Sequence, residues 1–168
     1  MNKTIVILGS SRSFGNTKKA VIQILGDEIV PIIDLNSLEI KPYDYEYKNK
    51  NDDYIKLMEL VVNYEVIILA TPIYWYCMSA TMKIFIDRLS DLLDIRKDLG
   101  RLLRGKRLFV ISSFSTSLPR AFEDPFEQTC NYMGIKYEGC SFIYFGQDEK
   151  LLNNNQGEII KAKKTIFS

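Results

Sequence analysis

The 168-residue sequence contains no histidine. Histidine is the general base most often used near neutral pH, so its absence excludes a Ser-His-Asp triad and a Cys-His dyad. It also removes the commonest metal ligand. We therefore expect no metal site and no catalytic residue of the acid–base kind. If the chain is an enzyme, a bound cofactor is expected to carry the chemistry.

Cysteine is also scarce. The three cysteines, Cys77, Cys130 and Cys140, are odd in number and far apart in the sequence. This pattern provides neither a disulfide framework nor a Cys-x-x-Cys site. We expect three reduced thiols that are mostly buried.

Charge and hydrophobic runs exclude two further classes of protein. The formal net charge is +1 at pH 7, which is not the strongly basic balance of nucleic-acid-binding proteins, so we expect no nucleic-acid partner. No apolar stretch reaches the roughly 18 residues of a membrane span. Residues 9–13 end the first apolar run too early for a secretory signal. We expect a cytoplasmic protein without a membrane partner.

The sequence does contain a regular alternation of apolar and amphipathic segments. Continuous apolar runs such as 66–70 indicate strands of a parallel sheet that is covered on both faces. The pattern predicts strands at 4–9, 28–33, 65–70, 106–112 and 136–145, and helices at 17–25, 53–63, 79–93, 124–133 and 157–167. This order predicts an α/β fold with a mostly parallel sheet. At this length we expect a single domain spanning residues 1–168.

Three loops follow strands at the edge where parallel sheets bind their ligands, the carboxyl ends of the strands. They span residues 10–16, 71–78 and 112–118, and all are rich in hydroxyl groups or aromatic rings. We expect the three loops to lie side by side and to form a ligand site.

The first loop has the composition of an anion site. It leads into a helix, where main-chain N–H groups lack partners and the helix dipole favours negative charge. It has neither a Gly-Lys-Ser/Thr sequence nor the middle glycine of a Gly-x-Gly-x-x-Gly turn, which disfavours ATP and a dinucleotide. The hydroxyl donors of the loop and the charge of Arg12 suit a terminal phosphate, the hydroxyls being those of Ser10, Ser11, Ser13 and Thr17. The alternative is an ordinary strand–helix turn capped by Asn16 or Ser13.

The second loop carries three consecutive aromatic residues, Tyr74, Trp75 and Tyr76. At least one of these rings should face the ligand edge, where it offers a stacking surface to a flat ring. Pro72 fixes the turn, and we expect the N–H groups from Ile73 to Trp75 to be free to meet the polar edge of such a ring. For Trp75 and Tyr76, packing against a partner subunit or the following helix is an equally good explanation.

Together these motifs resemble the NADPH-dependent FMN reductase family over nearly the whole chain. The resemblance is carried by Gly9-Ser10-Ser11-Arg12 with Gly15-Asn16-Thr17, by Thr71-Pro72-Ile73-Tyr74-Trp75, by Met78-Ser79-Ala80 and by Lys83-x-Phe85-Ile86-Asp87-Arg88. It implies a flavodoxin-like three-layer sandwich whose five-stranded parallel sheet has the order 2-1-3-4-5. It also implies bound FMN and assembly as dimers or tetramers.

The resemblance implies roles for individual residues as well. The FMN phosphate should be held by Ser10, Arg12, Asn16 and Thr17, and the isoalloxazine ring should be lined by Pro72, Ile73, Tyr74 and Trp75. The third flavin-side loop contains Ser112, Ser113 and Ser115. Relatives described as iron–sulfur flavoproteins carry a cysteine cluster after the second strand, whereas the tyrosine-rich segment 42–47 has no cysteine to ligate such a cluster.

We therefore expect an oxidoreductase that uses FMN to pass electrons from NADPH or NADH to a small acceptor, such as a flavin, quinone, azo or nitro compound. One alternative is a flavodoxin-type electron carrier, although such carriers are typically strongly acidic and this chain has a net charge of +1. Another is a protein that keeps the fold without flavin. The helix at 79–93 is apolar on more than one face, counting Ile84 and Leu92, which fits either a dimer contact or a well-buried central helix. The resemblance favours the homodimer.

Overall fold

The computed structural model describes residues 3–168. Its strands are β1 (Thr4–Leu8), β2 (Ile32–Asp34), β3 (Val66–Pro72), β4 (Arg107–Phe114) and β5 (Lys136–Tyr144). All neighbouring strands pair in parallel, and their order across the sheet is β2-β1-β3-β4-β5. The α/β class and the strand order that the resemblance implies are therefore confirmed.

Helices cover both faces of this sheet. They are α1 (Asn16–Leu25), α2 (Tyr54–Val61), α3 (Ala80–Asp87), α4 (Asp91–Asp94), α5 (Lys97–Leu102), α6 (Asp124–Met133) and α7 (Glu149–Ile166). Buried residues of α1 and α7 form one core with the sheet, and buried residues of α2 to α6 form a second core on its other face. The result is the three-layer sandwich. No helix within residues 3–168 is long and apolar enough to cross a membrane.

The alternation of side chains along the central strands builds these two cores. In β1, Ile5 and Ile7 pack on the α3 side, whereas Val6 and Leu8 pack on the α1 side. Every residue of β1 and of β3 is buried, as expected for central strands of a parallel sheet with helices on both faces. The carboxyl ends of these strands therefore form a rigid platform for the loops that follow them.

The second strand is shorter than the sequence predicts. The predicted strand covers 28–33, whereas β2 pairs with β1 only from Ile32 to Asp34. Pro31 has no N–H group to donate, and its carbonyl accepts a 2.9 Å hydrogen bond from the N–H of Val6 in β1. Ile29, two residues before the proline, is fully exposed.

The prediction of one continuous helix at 79–93 is wrong. α3 ends at Asp87, a 3-10 turn spans Arg88–Ser90, and α4 begins at Asp91. The tighter turn brings Nε of the buried Arg88 to 2.9 Å from the Asp91 carboxylate. Leu92 is only 1% exposed, so it offers no surface for the predicted dimer contact.

Two other helices also differ from the sequence prediction. α5 is absent from the prediction, and the closing helix begins near residue 149 rather than near 157. Asp148 determines this earlier start, because its side chain accepts hydrogen bonds from the N–H groups of Lys150 and Leu151.

α7 also covers the outer edge of β5. Asn155 bonds both main-chain groups of Tyr144, accepting from its N–H at 2.8 Å and donating to its carbonyl at 2.9 Å. Glu158 accepts from the N–H of Phe142 at 3.1 Å. These side chains occupy positions that a sixth strand would take, which blocks pairing with another chain.

The three cysteines are free. Cys130 and Cys140 are buried, as expected, but Cys77 is exposed because it lies in the turn that follows β3.

Candidate functional site

A polar cleft lies at the carboxyl ends of β1, β3 and β4, where the three predicted loops meet. It has a volume of about 120 Å³. Of the residues predicted from the sequence, the cleft is lined by Ser10, Arg12, Asn16, Thr17, Pro72, Ile73, Tyr74, Ser113 and Ser115. Three predicted residues do not line it, namely Ser13, Trp75 and Ser112, and three residues that were not predicted do, namely Gly15, Phe114 and Thr116.

The loop after β1 turns sharply around the start of α1. The Gly9 N–H donates to the Ala70 carbonyl at 2.8 Å, and the Gly15 N–H donates to the Arg12 carbonyl at 3.3 Å. A Cβ atom at position 9 would lie 2.9 Å from the Met82 side chain. Glycine therefore lets the loop leave the sheet closer to α3 than another residue would allow.

The first turn of α1 has no side-chain cap. Its N-cap residue is Gly15, which has no side chain, and the turn contains no acidic residue. The alternative of a turn capped by Asn16 or Ser13 is therefore wrong. The N-cap glycine and the first two helical residues, Asn16 and Thr17, all line the cleft. A helix start with free N–H groups and the positive end of its dipole is thus directed to this cleft.

The electrostatic character of the cleft is positive. No carboxylate is among its lining residues, and its one charged group is the guanidinium of Arg12. Arg12 takes part in none of the ion pairs within residues 3–168. Together with the helix start and the hydroxyl groups, this arrangement suits an anion that accepts many hydrogen bonds.

A buried hydrogen bond joins the first and third loops. The hydroxyl oxygens of Thr17 and Ser113 lie 2.8 Å apart. Ser112, the preceding residue of β4, is fully buried and donates its hydroxyl to the Thr71 carbonyl at 3.0 Å. Successive side chains of a strand point to opposite faces, so the structure brings only the second of these two serines to the cleft.

The aromatic loop forms a tight turn. Tyr74 and Cys77 exchange main-chain hydrogen bonds of 2.9 and 3.0 Å. Between them, Trp75 and Tyr76 have φ values of 46° and 67°, the left-handed conformation of a two-residue hairpin turn. The turn leaves Trp75 93% exposed and Tyr76 66% exposed, outside the cleft. Only Tyr74 of the three aromatic residues lines the cleft, where its hydroxyl accepts a 3.2 Å hydrogen bond from Ser11.

The expectation that the N–H groups from Ile73 to Trp75 are free is wrong for two of the three. The Ile73 N–H donates to the Ser113 carbonyl at 2.9 Å, and the Tyr74 N–H donates across the turn. The Trp75 N–H takes part in no main-chain hydrogen bond among the described residues outside helices and strands. The Ile73 hydrogen bond fixes the aromatic turn to the end of β4, and the Tyr74 hydrogen bond closes the turn itself.

The chain also matches known proteins in the region that builds this cleft. Residues 2–125 match the sequence profile of the family described as NADPH-dependent FMN reductase. The chain belongs to the NADPH-dependent FMN reductase family. The matched residues include all three loops of the cleft.

Two curated proteins are similar to this member of the FMN reductase family in sequence. The chain is 30% identical over 154 residues to YwqN of Bacillus subtilis, described as an NAD(P)H-dependent FMN-containing oxidoreductase, and the match covers 82% of each chain. It is 29% identical over 104 residues to an iron–sulfur flavoprotein of Archaeoglobus fulgidus, covering 52% of this chain and 45% of the relative.

Solved structures share the fold over the whole chain. The Trp repressor binding protein of Bacillus subtilis superposes with a TM-score of 0.75 at 27% identity, over 98% of this chain and 97% of that one. An FMN-dependent NADH-azoreductase of Bacillus anthracis, solved in complex with FMN, has a TM-score of 0.71 at 13% identity, over 99% and 100% of the two chains. At that identity, the second likeness shows the fold alone.

Proposed function

We propose that the cleft holds the FMN of an NAD(P)H-dependent oxidoreductase. The phosphate lies against the start of α1, and the isoalloxazine ring lies beside the aromatic turn. Membership of the FMN reductase family supports the cofactor and the class of reaction. The placement of the cofactor rests on the cleft, which joins the first two loops at the expected edge of the sheet.

The single observation that carries this placement is the uncapped start of α1 in a cleft without carboxylates. A phosphate monoester is dianionic near neutral pH and needs several donors. Ser10, Asn16 and Thr17 supply polar side chains, and Arg12 supplies a positive charge with no partner among the ion pairs of the described residues. These groups fit a phosphate.

The size of the cleft agrees with this orientation. Its volume of about 120 Å³ is smaller than the roughly 300–1,000 Å³ of a site that encloses a whole ligand. The cleft therefore accommodates the phosphate end. Tyr74 and Ser115, which also line the cleft, would then lie on the side of the flat ring.

Bound FMN would supply the hydride and electron transfer between a nicotinamide and an acceptor. The residues of this chain bind and orient it. Tyr74 offers a stacking surface, and the hydrogen bond between Thr17 and Ser113 holds the phosphate loop at a fixed distance from the end of β4. The Trp75 N–H is available as a donor to the polar edge of the ring, where negative charge develops. No residue is assigned a proton-transfer role, which agrees with a sequence that lacks histidine.

We propose a small planar acceptor, such as a flavin, quinone, azo or nitro compound. The exposed rings of Trp75 and Tyr76 stand beside the mouth of the cleft and offer stacking surfaces to a flat molecule. A flavodoxin-type carrier is less well supported, because the chain has a net charge of +1 instead of a strongly acidic surface for docking basic partners.

We also propose that residues 1–168 act as one domain within a homodimer in the cytoplasm. The free cysteines fit a reducing compartment. A shallow groove lined by aromatic and polar residues, including Tyr45, Tyr132, Asp87 and Asp94, supports self-association, since the rings of Tyr45 and Tyr132 are 86% and 76% exposed. A monomer in sedimentation at micromolar concentration contradicts the dimer.

The phosphate assignment is tested with a double variant. Arg12→Ala with Asn16→Ala removes the positive charge and one side-chain donor, so the purified protein should lose its bound flavin and its yellow colour. The matched control is Arg101→Ala with Asn131→Ala, which changes the same residue types at exposed positions of α5 and α6 outside the cleft. The control should retain flavin. If the Arg12→Ala, Asn16→Ala variant keeps a full complement of flavin, the phosphate assignment is wrong.

The reaction class is tested on the wild-type protein by adding NADH or NADPH without oxygen. Bleaching of the visible spectrum at a catalytic rate supports the reductase. A yellow protein that is inert to both nucleotides supports the electron carrier instead. A protein that binds no FMN overturns the proposed function.

A further inference from the structure

Side chains from two other elements hold the first two carbonyl groups of the loop after β1. The Ser79 hydroxyl, at the start of α3, donates to the Gly9 carbonyl at 2.7 Å. The side-chain amide of Asn36, in the turn after β2, donates to the Ser10 carbonyl. Both carbonyl oxygens are therefore engaged by donors that do not line the cleft.

The pairing of β1 with β2 explains why Asn36 reaches this carbonyl. Leu8 lies opposite Asp34 in the last pair of the two strands. Ser10 and Asn36 each follow that pair by two residues, so they meet just beyond the sheet. The position of Asn36 is fixed by its own N–H, which donates to the Asp34 carboxylate at 2.9 Å.

The direction of the Ser10 carbonyl matters for an anion in the cleft. A carbonyl oxygen carries partial negative charge and repels a phosphate, whereas an N–H group attracts it. Because a trans peptide is planar, its C=O and N–H groups point in opposite directions. Holding the Ser10 carbonyl outside the cleft therefore also fixes the direction of the Ser11 N–H.

We propose that Asn36 is a positioning residue for the phosphate end of the cleft. It does not line the cleft. It acts by holding the Ser10 carbonyl away from the anion, so that the loop presents donors to the phosphate. This inference rests on the proposed FMN site. Neither the motifs of the first loop nor those of the aromatic loop include this residue, which lies 26 positions from Ser10 in the sequence.

Asn36 is a better subject for a test than Ser79. Ser79 also caps α3 by accepting from the Met82 N–H at 3.1 Å, so its replacement weakens a helix as well as the loop. Asn36 is exposed, so a change there should leave the core intact.

The test compares Asn36→Leu, which keeps the approximate size of the side chain and removes its donor, with wild type. Dissociation constants are measured for FMN and for riboflavin, which lacks the phosphate, and thermal stabilisation is measured with inorganic phosphate. The matched control is Asn63→Leu, which removes an amide that donates to carbonyl groups of Glu59 and Leu60 at the end of α2.

Loss of one neutral hydrogen bond should weaken FMN binding by about 2- to 10-fold. Riboflavin affinity should be unchanged, and any fall in the melting temperature should be similar to that of the control, which also loses side-chain hydrogen bonds. The control should bind both flavins as wild type does. Unchanged FMN affinity overturns the inference, and so does an equal loss for both flavins, because a general effect on the fold does not depend on the phosphate.

The same measurements separate this inference from the proposed function. If wild type binds FMN and the Asn36→Leu variant keeps the wild-type preference for FMN over riboflavin, the function stands and the inference fails. If wild type binds neither flavin but is stabilised by inorganic phosphate, and the variant is not, the function fails and the inference stands. A wild type that binds neither flavin nor phosphate overturns both.

Discussion

The loop after β1 and the segment 38–53 after β2 are both polar and irregular, but their polar groups are used differently. In the first loop, Arg12 is exposed and outside the ion pairs of the described residues, beside a helix start without a cap. The second segment surrounds Arg88, which is only 1% exposed. The guanidinium of Arg88 donates to the carboxylates of Asp52 and Asp91 and to two carbonyl groups, those of Lys41 and Asn49.

The difference separates a binding region from a structural one. A guanidinium has five N–H donors, and at Arg88 the protein supplies five acceptor contacts for them. The Tyr54 ring packs against the same group, with its centre 4.8 Å from Cζ of Arg88. No donor is left for a ligand. At the first loop, the donors remain available, so the protein gives up stability there and gains a binding site.

Among single changes, replacement of the buried Arg88 should have the largest effect on stability. Arg88→Met leaves the carboxylates of Asp52 and Asp91 buried without their partner, which should lower the free energy of unfolding by about 3–5 kcal/mol. Urea denaturation measures the loss. The control is Arg96→Met. The ion pairs of Arg96 with Glu59 and Asp98 are at the surface and should contribute little to the free energy of unfolding. Equal effects of the two changes contradict the structural role of Arg88.

The second prediction concerns the loss of stability at low pH. Burial alone would raise the pKa of Asp52, but hydrogen bonds from Arg88 and from the N–H groups of Lys41 and Tyr54 outweigh it and lower the pKa below its ordinary value. A carboxyl group whose pKa is lower in the folded state stabilises the fold above its unfolded pKa, about 3.9. This contribution is lost as the pH falls through the lower, folded pKa.

We therefore expect the stability of wild type to fall below about pH 4, and to fall less steeply in Asp52→Asn. Urea midpoints measured between neutral pH and pH 3 test this. The two proteins should differ most near neutral pH and converge in acid. Parallel pH profiles show that this carboxylate does not titrate with unfolding.

The third prediction moves to the cleft. Thr17→Val removes the hydroxyl that pairs with Ser113, and it should weaken FMN binding by about 2- to 10-fold because a donor is lost and Ser113 is left without its partner. The control is Thr129→Val, which removes a surface hydroxyl bonded to a carbonyl within α6. If both variants bind FMN as wild type does, the hydroxyl pair has no part in the site.

The same contrast explains which parts of the fold could be predicted from the sequence and which could not. The signals around the first loop are local, since a buried strand, a glycine and an amphipathic helix follow one another directly. The start of α1 is accordingly predicted to within one residue. The break after α3 depends on Arg88 and Asp52, which are 36 positions apart, and no local pattern joins them.

The candidate site shows the same limit. The sequence identifies the three loops, but it does not show which serine of the pair Ser112 and Ser113 faces the cleft, because that depends on the pairing of β4 with its neighbours. Nor does it predict that Trp75 is exposed and does not line the cleft. The left-handed turn that lifts this ring is unusual for aromatic residues.

The smallest expected effect is a gain in stability, and it comes from a change beside the buried Arg88. The Tyr54 hydroxyl is the one fully buried side-chain polar atom of residues 3–168 that has no hydrogen-bond partner. Burial raises the pKa of Tyr54 well above its ordinary value, so the group stays neutral and its hydroxyl is desolvated without compensation. Tyr54→Phe keeps the ring against Arg88 and should stabilise the fold by up to about 1 kcal/mol.

Urea denaturation of Tyr54→Phe tests this gain, with Tyr137→Phe as the control. Tyr137 donates its hydroxyl to the Glu123 carboxylate at 2.8 Å, so the same change there should destabilise the protein. A loss of stability in Tyr54→Phe means that the hydroxyl has a partner, such as a buried water molecule. The polar groups around Arg88 would then be fully satisfied, which would sharpen the contrast with the open donors of the first loop.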